Sequence, residues 1–284
     1  GNLKGSPRQK ADIIKVGLVG CGGRGTGACS QALQADPGAR LVAMADVFSD
    51  RLEGSLERIK AIPTVAGKID VPPAKRFVGF DAFDKLIDSG VDMVLLATPP
   101  HFRPAHLKKA VDAGVHVFAE KPAAVDGPGV RSVLASCKKA KKKSLSVVSG
   151  LCLRHSLGFQ ELVKRLRAGV IGDLLTLQAN DYRGPIWYKE RQPDWTDMHY
   201  QMRNWYYHTW LSGDFNVEQH VHFLDVCSWA KGAYPIKAIG MGGRQVRTDK
   251  KFGNVFDHHS VVYEYEDGAK LISNTRQMKG CKTG

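Results

Sequence analysis

The chain has 284 residues, 43% hydrophobic and 24% charged, a balance that fits a globular protein and excludes disorder, collagen and coiled coil. Its 41 basic residues outnumber 28 acidic ones for a net charge of +13, which favours an anionic partner such as a phosphate-bearing cofactor, nucleic acid or a membrane surface. No stretch approaches the roughly 18–20 apolar residues of a membrane-spanning helix, so a soluble chain with its own core and no membrane insertion is expected.

From residue 13, short apolar runs alternate with amphipathic stretches, the pattern of a parallel α/β sheet. Strands are predicted at 13–19, 40–46, 77–78, 93–97, 116–119 and 145–148. Helices are predicted between them at 25–36, 49–61, 83–89, 104–113 and 128–142. The last of these ends on Lys138-Lys139-Ala140-Lys141-Lys142-Lys143, cations that suit the negative end of a helix. With no zinc-finger or RNA-recognition spacing beside it, the run reads as a solvated helix end, and no nucleic-acid partner is expected.

After about residue 150 the texture changes. A helix at 159–168 closes on Gly169, a strand follows at 174–183, and 184–210 is an aromatic-rich insertion. A helix is predicted at 217–230, then strands at 236–245, 259–266 and 270–277, the last two joined by the Asp267-Gly268 turn. Strands in series without helices between them predict an open, mostly antiparallel sheet. No closing element follows the last strand, so the chain reads as shortened at its C-terminus. The six cysteines are scattered without a C-x-x-C pair and are expected as free thiols, with no metal site.

The first strand runs into Gly20-Cys21-Gly22-Gly23-Arg24-Gly25, a full G-x-G-x-x-G that opens a helix. The first Gly makes the tight turn, the second lets backbone approach a pyrophosphate, and the third lets helix pack on strand. Helix N-terminal amides then hold the phosphates, with Arg24 beside them. Asp46 ends the next strand 21 residues after Gly25, placed to accept hydrogen bonds from an adenosine ribose. Its charge would repel a 2′-phosphate, so NAD is the expected cofactor; Arg51 nearby leaves NADP open. The expected fold class is therefore α/β, with an N-terminal Rossmann doubly wound parallel sheet over 1–150. An α+β domain over 151–284 follows, for substrate binding and oligomerisation.

Two further segments carry a family likeness. Ala97-Thr98-Pro99-Pro100-His101 is followed by Gly114-Val115-His116-Val117-Phe118-Ala119-Glu120-Lys121-Pro122. Together with the glycine loop this resembles the Gfo/Idh/MocA oxidoreductases, the glucose–fructose oxidoreductase and inositol dehydrogenase relatives. The resemblance implies an active site between the two domains and NAD(P) chemistry on sugars, cyclitols and related polyols. It implies cofactor contacts from Thr98, Pro99, His101, Glu120 and Lys121, and a cis bond before Pro122 that fixes the direction of Lys121. Pro100 stands where many relatives have Asn. Physical chemistry points the same way for Lys121: it follows the carboxyl end of a parallel strand, where it can hold a substrate hydroxyl and join its proton transfer.

The second constellation is Glu218-Gln219-His220-Val221-His222-Phe223-Leu224-Asp225. In a continuous helix Glu218, His222 and Asp225 share one face and His220 points the other way. The family pattern D-x-x-x-H-x-x-D matches Glu218 to its Asp and His222 to its His, so Glu218 and His222 join Lys121 as catalytic candidates. His220, where many relatives have Gly, is a candidate for substrate binding with Lys121, His222 and Arg154. The insertion holds four of the five tryptophans; its rings suit a sugar face or, equally, an oligomer interface or satellite core.

The leading expectation is an NAD(P)-dependent dehydrogenase of a sugar or polyol. A redox-neutral NAD-dependent glycosidase is the first alternative, since the Gly-Gly-Arg-Gly loop also resembles family members of that kind; a non-catalytic cofactor-binding regulator is the second. A homodimer or homotetramer through the open sheet is expected. A cytoplasmic location is expected, from free NAD and unpaired cysteines, with export after signal removal as the alternative.

Overall fold

The computed structural model describes residues 13–283. The first unit alternates β1 (Ile14–Val19), α1 (Gly23–Ala35), β2 (Ala39–Asp46), α2 (Ser49–Lys60), α3 (Pro63–Ala66), β3 (Arg76–Val78), α4 (Ala82–Ile87), β4 (Met93–Leu96), α5 (Arg103–Asp112), β5 (His116–Ala119), α6 (Gly127–Lys142) and β6 (Val147–Ser149). The strands form one sheet in the order β3-β2-β1-β4-β5-β6, every neighbouring pair parallel. This is the Rossmann doubly wound order, which reverses between β1 and β4 and opens a crevice at their carboxyl ends.

Both faces of this sheet are covered. Leu18, Leu33, Leu41, Met44, Leu52 and Ile59 form the core on one side, and Phe83, Leu86, Val94, Leu107, Val111 and Val117 the core on the other. Buried runs such as Met93–Leu96 are the expected consequence of a parallel sheet covered twice. The lysine run does end α6: Lys143 caps carbonyls of Val111 and Asp112 at 3.0 and 2.7 Å, and Lys139 pairs with Asp112 at 2.6 Å.

The second unit contains α7 (Leu157–Arg167), β7 (Thr176–Arg183), α8 (Asp197–Arg203), α9 (Thr209–Ser212), α10 (Phe215–Glu218), α11 (Val221–Lys231), β8 (Lys237–Gly243), β9 (His258–Glu264) and β10 (Lys270–Gln277). Its sheet runs β7-β10-β9-β8. β10 pairs antiparallel with β9, as does β9 with β8, while β7 lies parallel to β10. The turn at Asp267-Gly268 signals the β9–β10 hairpin, but no local pattern shows that β7 joins the far side of β10. One face packs on α11 through Ala179, Leu271, Tyr265, Phe223 and Leu224. The opposite face leaves Ile239, Val262 and Ile272 exposed in one cross-strand row.

The units divide at residues 123 and 150, with 124–127 belonging to the second. Tyr206 and Tyr207 are buried, and the buried Arg247 lies 5.3 Å over the Tyr207 ring and 5.9 Å over that of Tyr206. Gln277 donates to the Tyr206 hydroxyl at 2.8 Å and accepts from Arg247. These two tyrosines therefore build a satellite core.

Candidate active site

In the first unit the glycine loop is built as its sequence requires. Gly20 has φ +91°, and a Cβ there would meet the Ala97 carbonyl carbon at 2.6 Å. A Cβ on Gly25 would come within 1.9 Å of the Gly20 carbonyl oxygen, so α1 seats on β1 only with glycine at that position. At Gly22 and Gly23 a Cβ would meet nothing within 4 Å: open space adjoins the amino end of α1, where a pyrophosphate approaches backbone N–H groups. The residues present thus fit a dinucleotide.

Asp46, at the carboxyl end of β2, accepts the Cys21 N–H at 2.6 Å on one oxygen and the Phe48 N–H at 2.9 Å on the other. A carboxylate has about four acceptor sites, more than these two bonds use. Burial and the neighbouring Asp46 charge push the Cys21 thiol well up, which makes it an inert core thiol.

The loop is also tied to the lysine segment. Arg24 Nε donates to Glu120 Oε1 at 2.7 Å, and Glu120 is buried. The Glu120 N–H closes the β4–β5 ladder on the Leu96 carbonyl at 2.9 Å. Lys121 therefore leaves the carboxyl end of β5, half-buried, and its bond to Pro122 is cis. Thr98 and Pro99 follow β4 at the same edge, and His101 lies exposed in the next turn against Phe102, centroids 5.1 Å apart. Two residues of this edge escaped the sequence reading. The buried Arg103 donates to the Thr98 and Pro122 carbonyls. His106 stacks on Phe83 at 4.1 Å and lies 3.4 Å from the Thr98 hydroxyl. Nothing in sequence spacing distinguishes a buried Arg at a helix start from a solvated one.

In the second unit the expected helix 217–230 is broken. α10 ends at Glu218 and α11 begins at Val221. The His220 N–H reaches back five residues to the Phe215 carbonyl at 3.2 Å, and the His222 N–H only three, to Gln219 at 3.4 Å. Glu218 therefore lies on α10 while His222 and Asp225 lie on α11, so the three do not share one continuous helix.

His220 is the clearest correction. Its ring has no exposed surface, and Nε2 lies 2.8 Å from the Ser273 hydroxyl on β10. Its Nδ1 stands 4.0 Å from the buried Asp181 on β7, whose other oxygen accepts from Arg183 at 2.5 Å. Burial pushes the imidazole down to about 4, with Asp181 opposing and Arg183 adding to the shift, so the ring is neutral. A side chain closed in this way props the break between α10 and α11 on the sheet and leaves no ring surface exposed. The sequence did carry a signal: Asp181, Ser273 and Thr275 are polar at inward positions of period-two strands whose inward series start at Leu177 and Leu271.

The Arg154 fork meets Asp225 at 2.7 and 2.8 Å, with the Arg154 side chain 37% exposed. Glu218 is buried, while His222 keeps partial exposure. Among the described residues no cluster of His, Cys, Asp or Glu has the geometry to hold a metal ion, and no helix is long and apolar enough to cross a membrane.

The profile of the Gfo/Idh/MocA oxidoreductases, described as an oxidoreductase family with an NAD-binding Rossmann fold, matches residues 14–149, the segment that carries the glycine loop, Asp46 and Lys121. Residues 14–149 belong to this family. Among curated relatives, 2,7-anhydro-N-acetylneuraminate hydratase of Escherichia coli is 27% identical over 67% of this chain and 47% of its own length. Inositol 2-dehydrogenase 3 of Saccharopolyspora erythraea is 24% identical over 91% and 65%. Glycosyl hydrolase family 109 protein 1 of Bacteroides fragilis is 27% identical over 61% and 36%. The chain thus spans roughly a third to two thirds of the length of these relatives. The fold is shared with the WlbA dehydrogenase of Bordetella pertussis, solved with NADH and UDP-GlcNAcA: TM-score 0.72, 20% identity, covering 97% of this chain and 70% of that one.

Proposed function

We propose that this Gfo/Idh/MocA protein moves a hydride between NAD(P) and a secondary alcohol of a sugar, cyclitol or related polyol. The observation that carries the reading is the 2.7 Å bond from Arg24 to Glu120, which holds the residue before Lys121 against the glycine loop. It supports a Lys121 that works at the carboxyl edge of the sheet, where open α/β sheets bind their ligands. Bound NAD supplies the hydride acceptor. Lys121 holds the reacting hydroxyl and, with His222, takes up its proton as the C–H bond breaks, leaving a ketone. Glu218 orients neighbouring hydroxyls. Incubation with NAD and a polyol panel tests this: one substrate should yield NADH in step with ketone, and a silent panel counts against it.

The second reading is a redox-neutral glycosidase, favoured by the Gly22-Gly23-Arg24-Gly25 loop form and by the family 109 relative. Transient oxidation at C3 acidifies the C2 proton, the glycosidic group is eliminated, water adds, and the ketone is reduced again. Release of a leaving group without NADH accumulation selects this reading over the first.

A further inference from the structure

The geometry points to Arg103 as a positioning residue that sets the separation between the Thr98-Pro99 turn and the Lys121 loop. This rests on the reading of Lys121 given above. β4 and β5 stay in register through Leu96 and Ala119, and the Glu120 N–H to Leu96 bond is the last of their ladder. Beyond it the strands hold each other no longer, yet here one chain carries Thr98 and the other Lys121.

Arg103 spans that gap from the first residue of α5. One guanidinium nitrogen donates to the Thr98 carbonyl and another to the Pro122 carbonyl, the residue directly after Lys121. Its side chain is among the largest that are fully buried. A buried cation is costly, and two donors of the rigid planar fork go to two backbone carbonyls on different loops. Lysine, a compact point charge, cannot reproduce that fork. One turn along α5, His106 approaches the Thr98 hydroxyl and stacks on Phe83, so the same helix end grips the β4 loop twice. The arrangement fixes a distance. A displacement of about 1 Å at a reacting group costs on the order of a hundredfold in rate, which is the scale at which such a spacer matters.

The test uses the full chain, NADH as probe and an amine-reactive acylating reagent, with the labelling rate of Lys121 read by peptide mass spectrometry. In the wild type, NADH should slow Lys121 labelling about tenfold. In Arg103→Met and Arg103→Lys, NADH should bind within about threefold of wild type by fluorescence titration, but its protection of Lys121 should fall below about twofold, because cofactor and lysine loops no longer keep their spacing. Should Arg103→Met fail to fold, Arg103→Lys carries the comparison. Equal protection in the wild type and in folded variants overturns the inference, as does loss of NADH binding together with protection, which would make Arg103 a part of the cofactor pocket. Absence of protection in the wild type instead overturns the reading of Lys121 itself.

Discussion

The Asp46 carboxylate accepts the backbone N–H of Cys21 at 2.6 Å, so the group proposed to receive the ribose also braces the glycine loop. On that proposal, cofactor selection and loop geometry are coupled through one side chain. Asp46→Asn keeps an acceptor for the brace and removes the charge that repels a 2′-phosphate. It should shift affinity from NAD toward NADP by about tenfold, the scale of one or two charge-assisted hydrogen bonds. Asp46→Ala should shift the ratio as far and weaken both cofactors, because the brace goes too. Fluorescence titrations with NADH and NADPH decide this: an unchanged ratio in Asp46→Asn sinks the selection argument.

Gly25→Ala is the sharper loop test. Its methyl would stand 1.9 Å from the Gly20 carbonyl oxygen, a contact only backbone movement can relieve. NADH binding should fall at least about a hundredfold, since phosphate recognition depends on the close seat of helix on strand. Gly23→Ala, which meets open space, should leave the melting temperature unchanged. Equal thermal stability of the two variants would argue against the steric account.

The parallel half of this protein was legible because its signals are local and redundant. β1, the glycines and Asp46 each predict the others, and the strand ends at Val19, Asp46 and Ala119 fall where the apolar runs stop. The second half was legible in its elements and not in its assembly. Whether β7 pairs with β8, β9 or β10 is a long-range choice that no hairpin signal encodes. The same limit produced the error at His220. A helical periodicity cannot reveal that the ring of His220, at the break in this helix, meets Ser273 more than fifty residues away. Arg103 was missed for a related reason: its partners are carbonyls, which every sequence has everywhere.

Two histidines make stability depend on acid. His220 and His106 are both pushed down to about 4, chiefly by burial, against about 6.5 in an unfolded chain. The unfolded chain then binds protons that the folded chain refuses. Their contribution is complete above about pH 6.5 and is lost as pH falls toward 4, by at most about 3 kcal/mol each. Urea melts between pH 7.5 and 4.5 should show that slope. His220→Asn, which can still meet Ser273, should lose stability at pH 7 and flatten the acid limb. An unchanged limb would mean that His220 is not buried neutral.

The exposed row of Ile239, Val262 and Ile272 crosses three strands on the open face of the second sheet, at 70%, 42% and 38% exposure. An antiparallel sheet with one apolar face needs cover, and we propose that a second copy of the chain provides it. Light scattering at micromolar concentration should give a dimer or tetramer, and Val262→Arg should give a monomer whose Rossmann unit still binds NADH. A wild-type monomer under these conditions removes the proposal.

Lys121 and His222 are the groups proposed for proton transfer. Lys121→Ala should lower kcat by roughly 10²–10⁴ while NADH binding stays nearly intact, the usual scale for loss of a general acid or base. His222→Ala should cost a similar factor. If the two act in one step, the double mutant should be little worse than either single one, because groups that act as a unit are strongly non-additive. His220→Ala should differ from both: it removes the prop on Ser273, so it should lower the melting temperature and change kcat in proportion to the folded fraction. Multiplicative losses in the Lys121→Ala/His222→Ala pair would assign the residues to separate steps. A silent His222→Ala beside a stable but inactive His220→Ala would return the catalytic role to the buried ring.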